Sequence, residues 1–330
     1  LKQYLDAVRE ILDFGTRKEN RTGVDTFSTF NINYEIDLRD GFPLLTTKKI
    51  NWKNIVVENL WFLSGEPDIK LLQKHGCKFW DAWADEDGLV PSAYGNFWRR
   101  FPVHDFHTQD EFGLGFNDQI AWVIAELKRN PTSRRLVVSA WAPDNAQTSK
   151  LPPCHIQFVL NVQHLPEKCT RCNGSGTYWY AEDDSRCDPC GGAGILKGKT
   201  KQHLCLHLTQ RSCDIALGVP YNIAGYALLL ELFARFSGIP AGIFAHTLVD
   251  AHAYTSKPDG SMAEYDHVPG LREQLTREPC PLPRLHIHPS IQKLEDISWL
   301  LKLDDTDEVM RHFELEAYDP HPAIKFKVAV

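Results

Sequence analysis

The chain is expected to fold as one α+β domain decorated by inserts, on three observations. Helix-period and strand-period apolar patterns follow one another along the 330 residues with no linker or internal repeat to divide them. One long segment, 222–238, is apolar on almost every face and demands a core large enough to bury it. Two cysteine-glycine knuckles interrupt a pair of alternating strands as a separable insertion.

The elements follow in order. LKQYLDAVREILDFG has apolar residues at helical spacing with charges between them, which makes it an amphipathic helix and not a signal peptide. After a Gly- and Thr-rich stretch, the alternation in FSTFNINYEIDL reads as strand. In NWKNIVVENLWFLSGEPDIKLLQKHG, Ile55, Leu60, Trp61 and Leu63 recur at helical intervals, and Gly65 with Pro67 punctuates the run. Residues 76–115, rich in Trp, Phe and Gly, read as irregular, either a pocket wall or aromatic core packing. A helix is expected over 117–127 and, after the turn NPTS, a buried strand in RRLVVSAW. CHIQFVLNVQ and QHLCLHLTQ both alternate, with residues 164–201 inserted in the loop between them. NIAGYALLLELFARFSG is the buried central helix, with Asn222 near its start and Gly238 at its end.

Composition narrows the function. Hydrophobic residues at 43% and charged residues at 24% are ordinary for a globular protein. A formal charge of −7 gives no global reason to bind nucleic acid or an anionic membrane, so any anionic ligand needs local basic residues. The longest apolar runs, such as 226–236, are broken by Glu231 and Arg235 and fall short of the ~20 residues that span a bilayer. Nine cysteines, an odd number, fit a reducing compartment, and the expected location is cytoplasmic.

Four of those cysteines form two Cys-x-x-Cys pairs, Cys169 with Cys172 and Cys187 with Cys190. That spacing is close to a four-thiolate zinc ribbon, and the glycines in CNGSG and CGGAG would let both thiolates of each pair face one tetrahedral ion. A coincidental or redox-active set of thiols is the alternative. A closed sulfur shell has no open position, so structural zinc is expected to serve loop stability or a partner surface, and a nucleic-acid-binding role stays open.

Cys154 sits in LPPCHIQF, where two prolines restrict the approach and a strand follows directly. A rigid strand entrance suits a nucleophile, although a lone cysteine there is more often a small buried hydrophobe. Arg134 and Arg135 before one strand and Arg211 at the end of another would favour a thiolate and could hold a phosphate if they converge.

These residues lie in long motifs. PPCH, TQRSCDIALGVPYNIAGYALL, NRTGV, DLRDGFPLLTTKK, SRRLVVSAW and YDPHPAIK together resemble the thymidylate synthase family, which also includes deoxypyrimidine monophosphate hydroxymethylases. The resemblance runs from end to end, outside roughly 164–201, a shorter region near 256–272 and part of the aromatic segment. It implies a single α/β domain built on a mixed sheet, an obligate homodimer formed through that sheet, and sites completed across subunits. It implies that Arg21, Arg211 and Ser212 grip the phosphate of dUMP, joined by Arg134 and Arg135 from the other subunit; guanidinium forks suit a phosphate dianion.

The same resemblance has Asn222 read the pyrimidine edge, its amide accepting from N3–H and donating to O4, which fits uracil. A helix-cap role is the other reading of Asn222. His252 and Tyr254 would bond the sugar hydroxyl. Glu58, a costly carboxylate on an apolar helix, would move protons around O4 and the folate amine through water. Tyr94 would position the water that removes the C5 proton. Trp80, Trp83 and Asp214 would line the folate site with Lys48 near the glutamyl tail, and Val330 would carry the closing carboxylate. The implied reaction adds Cys154 to C6 of dUMP, alkylates C5 from 5,10-methylenetetrahydrofolate and releases dTMP and dihydrofolate.

The chain departs from the family's usual pattern in three places. PSAYGNFW lacks the usual Gly-Pro and a glutamine, the tail has Phe326-Lys327 where Ala-Pro is usual, and TLVDAHAY lacks paired glycines. Loosened closure would admit water and give a hydroxymethyl product, so a dUMP hydroxymethylase is the alternative activity. A non-catalytic nucleic-acid-binding protein using the insert is the third.

Overall fold

The computed structural model describes residues 1–104, 114–143, 149–172, 174–177 and 186–329. A seven-stranded mixed sheet, ordered β1-β2-β9-β7-β6-β5 with β8 beside β9, is its frame. The strands are β1 (Thr16–Lys18), β2 (Asp25–Asp37), β5 (Val137–Ser139), β6 (His155–Lys168), β7 (Ile195–Gln210), β8 (Cys213–Asp214) and β9 (Ala241–Thr255). β9 runs parallel to β7 and β8, and the other pairs are antiparallel. Two small two-stranded antiparallel sheets lie apart, β3 (Phe101–His104) with β4 (Leu114–Asn117) and β10 (Arg284–Ile287) with β11 (Phe313–Glu316). Among the described residues no helix is long and apolar enough to cross a membrane.

Helices cover one face of the sheet. In α1 (Lys2–Phe14) the apolar period delivers Tyr4, Leu5, Ala7, Val8 and Ile11 to the core. Each large side chain so buried contributes roughly 1.5–3 kcal/mol of apolar transfer. The helix α2 (Trp52–Ser64) starts with the Asn51 side chain accepting from the Asn54 N–H, and left-handed Gly65 ends it. The central helix, Gly218–Ser237, buries residues on all sides, Leu228, Phe233 and Phe236 among them. It begins four residues before Asn222, at Gly-Val-Pro. Pro220 lies in the first turn, where the missing N–H has no partner to lose.

Past the single turn α3 (Lys70–Lys74), the short helix α4 (Tyr94–Arg100) returns to meet α2 at Gly95. A Cβ there would come within 2.3 Å of the Phe62 carbonyl oxygen, so only glycine permits the approach. That contact sets Phe62 edge-on to Tyr94, 5.1 Å between ring centres, and fixes one wall of the cavity described below.

The strands expected on either side of the insertion pair as a long hairpin, and they run further into it than alternation suggested. Pairing continues through His164↔Gln202 and Pro166↔Thr200 to Lys168↔Ile195. Lys168 is tied to the body by Asp37 at 3.3 Å and by Asp40, and Arg39 donates to the Pro166 carbonyl at 2.8 Å. The four knuckle cysteines form a small cluster of their own at the hairpin's end.

Candidate active site

One cavity of about 690 Å³ opens where β6, β7 and β9 meet α2, α4 and the central helix. Cys154, at the foot of β6, lines it with Arg21, Glu58, Trp80, Trp83, Tyr94, Arg211, Ser212, Asp214, Asn222, His252 and Tyr254. Lys48, Arg134 and Arg135 do not line it. Val330 lies outside the described residues, although Ala329 before it reaches the cavity. Arg134 and Arg135 are exposed on the approach to β5. Lys48 is buried, donating to the Ala216 carbonyl and lying 4.6 Å from the Phe326 ring centre, and burial pushes its pKa down to about 8 against the opposing pull of Asp214.

Cys154 is fixed by its neighbours. Tyr94 Oη accepts from the Cys154 N–H at 3.0 Å, and the Arg211 N–H donates to the Cys154 carbonyl at 2.8 Å. The Arg211 guanidinium donates through Nε to the Pro153 carbonyl at 2.9 Å and through Nη2 to that of Pro152 at 2.7 Å, while lying 5.5 Å from the Trp141 ring centre. Arg211 therefore clamps the two-proline approach and keeps donors in hand. Burial raises the pKa of the thiol, and the charges of Arg211 and Arg21 and the Ser212 side chain oppose it.

Glu58 stands across the cavity. Burial raises its carboxyl to about 7 against the opposing Trp80 indole N–H, which donates to Oε1 at 2.8 Å. A group balanced near neutral pH can both give and take a proton. Asp214 Oδ1 accepts from the Ala216 and Leu217 N–H groups at 2.9 and 3.1 Å, which fixes the turn into the central helix. His252 Nδ1 donates to the Asp250 carbonyl at 3.0 Å, which leaves Nε2 for other partners.

Sequence reasoning missed the chain of contacts behind Asn222. Gln210 donates through Nε2 to Asn222 Oδ1 at 3.1 Å and to the Ser212 carbonyl at 3.0 Å. Its Oε1 can only accept, so His246 Nε2, 3.1 Å away, must carry a proton. Burial holds the His246 ring neutral, so its Nδ1 accepts from Tyr34 Oη at 2.8 Å. This chain orients the Asn222 amide from behind, with Oδ1 toward Gln210; Asn222 is no helix cap. His155 was also overlooked. It stacks on Tyr94 with ring centres 4.6 Å apart, and burial lowers its pKa to about 4. Adjacency to Cys154 and Arg211 was the one available signal for His155 and Gln210.

The tail closes over one side. Phe326 packs against Gly270 and the His267 ring, 5.0 Å between centres, and His267 Nε2 donates to the Lys327 carbonyl at 2.8 Å. The other ring nitrogen of His267 lies 3.9 Å from Asp214 Oδ1. Lys327 sits 4.2 Å from the Tyr265 ring centre and 3.5 Å from Glu264. The departure Phe326-Lys327 thus supplies its own docking contacts.

A mixed sheet whose strand ends feed a thiol and an arginine into one deep cavity, with a buried carboxyl supplied by α2, is the frame of a group-transfer enzyme. The family model described as thymidylate synthase matches residues 2–330. A thymidylate synthase of Haloferax volcanii is 38% identical, over 98% of this chain and 95% of its own length. The chain belongs to the thymidylate synthase family, enzymes of one-carbon transfer that bind dUMP and use methylenetetrahydrofolate.

Proposed function

We propose that this enzyme converts dUMP to dTMP, with 5,10-methylenetetrahydrofolate as donor of both carbon and hydride and dihydrofolate as by-product. The observation that carries this reading is the convergence of Cys154, Arg211, Asn222 and Glu58 on one cavity. Cys154 Sγ bonds to C6 of the uracil ring, and the electron pair displaced toward C5 attacks the methylene carbon of the folate. Loss of the C5 proton to water held by Tyr94 expels tetrahydrofolate and leaves an exocyclic methylene. Hydride from the same folate reduces that methylene to methyl as the thiolate departs. Glu58 moves protons at O4 and at the folate amine, and its near-neutral balance suits both directions.

Arg21, Arg211 and Ser212 bind the phosphate, His252 and Tyr254 the sugar hydroxyl, and Asn222 the N3–H and O4 edge. Trp80, Trp83 and Asp214 face the folate, Lys48 supports that wall from behind, and the tail through Val330 shuts out water. A homodimer formed through the sheet would bring Arg134 and Arg135 to the partner's phosphate. Their exposure here supports it, as do the half-exposed Ile156, Val159, Ile243 and Ala245, which alternate with the buried strand residues. Reduced thiols suit a cytoplasmic setting.

The test is mass analysis of the product from dUMP and methylenetetrahydrofolate, with trapping by a 5-fluorinated dUMP. A methyl product and an adduct on Cys154 are expected. A hydroxymethyl product would instead assign the hydroxymethylase activity, and full turnover by Cys154→Ser would end the covalent reading.

A further inference from the structure

We infer that Cys169, Cys172, Cys187 and Cys190 hold one zinc(II) ion in a closed four-sulfur shell, and that this ion folds the tip of the β6–β7 hairpin without entering the reaction. The sulfurs are placed for it. Cys169 Sγ lies 3.7 Å from Cys187 Sγ, Cys172 Sγ lies 3.7 Å from Cys190 Sγ, and all four lie within 4.8 Å of one another. With zinc–sulfur bonds of ~2.3 Å, the edge of a regular tetrahedron is ~3.8 Å, whereas a disulfide needs ~2.05 Å. The close pairs also join the two knuckles, as ligands sharing one central ion must.

The backbone repeats around that point. CTRCNGSG and CDPCGGAG share the spacing Cys-x-x-Cys-x-Gly-x-Gly. The Cys169 N–H donates to the Gly194 carbonyl at 2.8 Å, and the Cys187 N–H donates to that of Gly176 at 2.9 Å. Within each knuckle the same bonds recur, Gly174 to the Cys169 carbonyl at 3.0 Å and Gly192 to that of Cys187 at 3.2 Å. A Cβ on Gly176 would come within 2.3 Å of the Gly192 oxygen, and one on Gly194 within 2.2 Å of the Gly174 oxygen. The two loops interlock about a local two-fold relation, and the thiol cluster lies between them. The Gly176 N–H also donates to Cys172 Sγ at 3.3 Å, the kind of bond that supports a thiolate ligand.

The chemistry selects the ion and its role. Four soft thiolates with neither carboxylate nor imidazole among them suit zinc and exclude magnesium or calcium, and a filled shell has no position for substrate. Among the described residues, half-buried Leu196 is the apolar side chain packed against the cysteines. A bound ion offsets the ordering of these glycine-rich turns directly. The reaction centre is distant, since β6 runs for fourteen residues from its start at His155 to its end at Lys168.

The test is metal analysis of the full-length protein purified without chelator, with cobalt(II) exchange as a second readout. About one zinc per chain and the absorption of a tetrahedral four-thiolate cobalt site are expected. The double variant Cys172→Ser/Cys190→Ser should lose the metal and the exchange protection of the Cys169, Gly174, Cys187 and Gly192 amides while keeping dUMP turnover within about two-fold. Disulfides in the native protein, iron in place of zinc, or no metal would overturn the proposal, and each is read on the unaltered chain even if the variant fails to fold. Metal removal that abolished turnover while the rest of the chain stayed folded would overturn the structural role.

Discussion

Replacing Glu58 with glutamine separates what the carboxyl does for the reaction from what it does to the fold. Its pKa in the folded chain is about 7, raised from 4.5 chiefly by burial. At 1.36 kcal/mol per pH unit that rise is worth ~3 kcal/mol. The carboxyl also opens onto cavity water, which screens part of the effect, and ~2 kcal/mol is the working figure. The folded state holds the proton more tightly than the unfolded state, so stability is full below pH 4.5 and is lost as pH rises through 7. Glutamine has no such loss. Urea unfolding of both proteins at equal concentration should show Glu58→Gln gaining ~2 kcal/mol on the parent between pH 4.5 and 8. The kcat should fall ~10²–10⁴-fold at every pH, because the amide carries no mobile proton. Parallel stability profiles would refute the buried-carboxyl argument, and a kcat within a few-fold of the parent would refute the proton role.

Other substitutions test the remaining walls. Gln210→Leu removes the donor to Asn222 Oδ1 and the acceptor for His246, so KM for dUMP should rise ~10–100-fold and preference for dUMP over dCMP should narrow, measured by steady-state competition. An unchanged preference would mean that Asn222 holds its own orientation. Phe326→Ala strips the tail of its contact with Gly270 and His267, a half-buried ring worth ~1–2 kcal/mol, and product mass analysis should show a larger hydroxymethyl fraction. Arg211→Lys keeps the charge and loses the two-pronged hold on Pro152 and Pro153, so adduct formation with 5-fluorinated dUMP should slow ~10-fold or more in stopped-flow.

What the sequence disclosed depended on whether the information was local. The periodicity of α1, the alternation flanking the insertion and the doubled Cys-x-x-Cys are properties of neighbouring residues, and each has its counterpart in the fold. The start of the central helix was hidden because Gly-Val-Pro reads as a break, yet the first turn tolerates proline. The partners of Asn222 were hidden because Tyr34, Gln210 and His246 come from three strands far apart in sequence. Lys48, which the resemblance puts near the glutamyl tail, is a buried side chain bonded to the Ala216 carbonyl, a partner that only packing discloses. Arg134 and Arg135 carry the opposite lesson, since a single chain leaves them at its surface.

The length of β6 has a practical consequence. Its fourteen residues form a stiff rod of ~45 Å whose one end holds the sulfur that meets substrate and whose other end carries the knuckles. Lys168 and Arg39 bolt that far end to the body, so a reporter or a foreign loop grafted beyond Lys168 would ride outside the reacting region. The hairpin is thereby a ready handle for attaching cargo to a working enzyme.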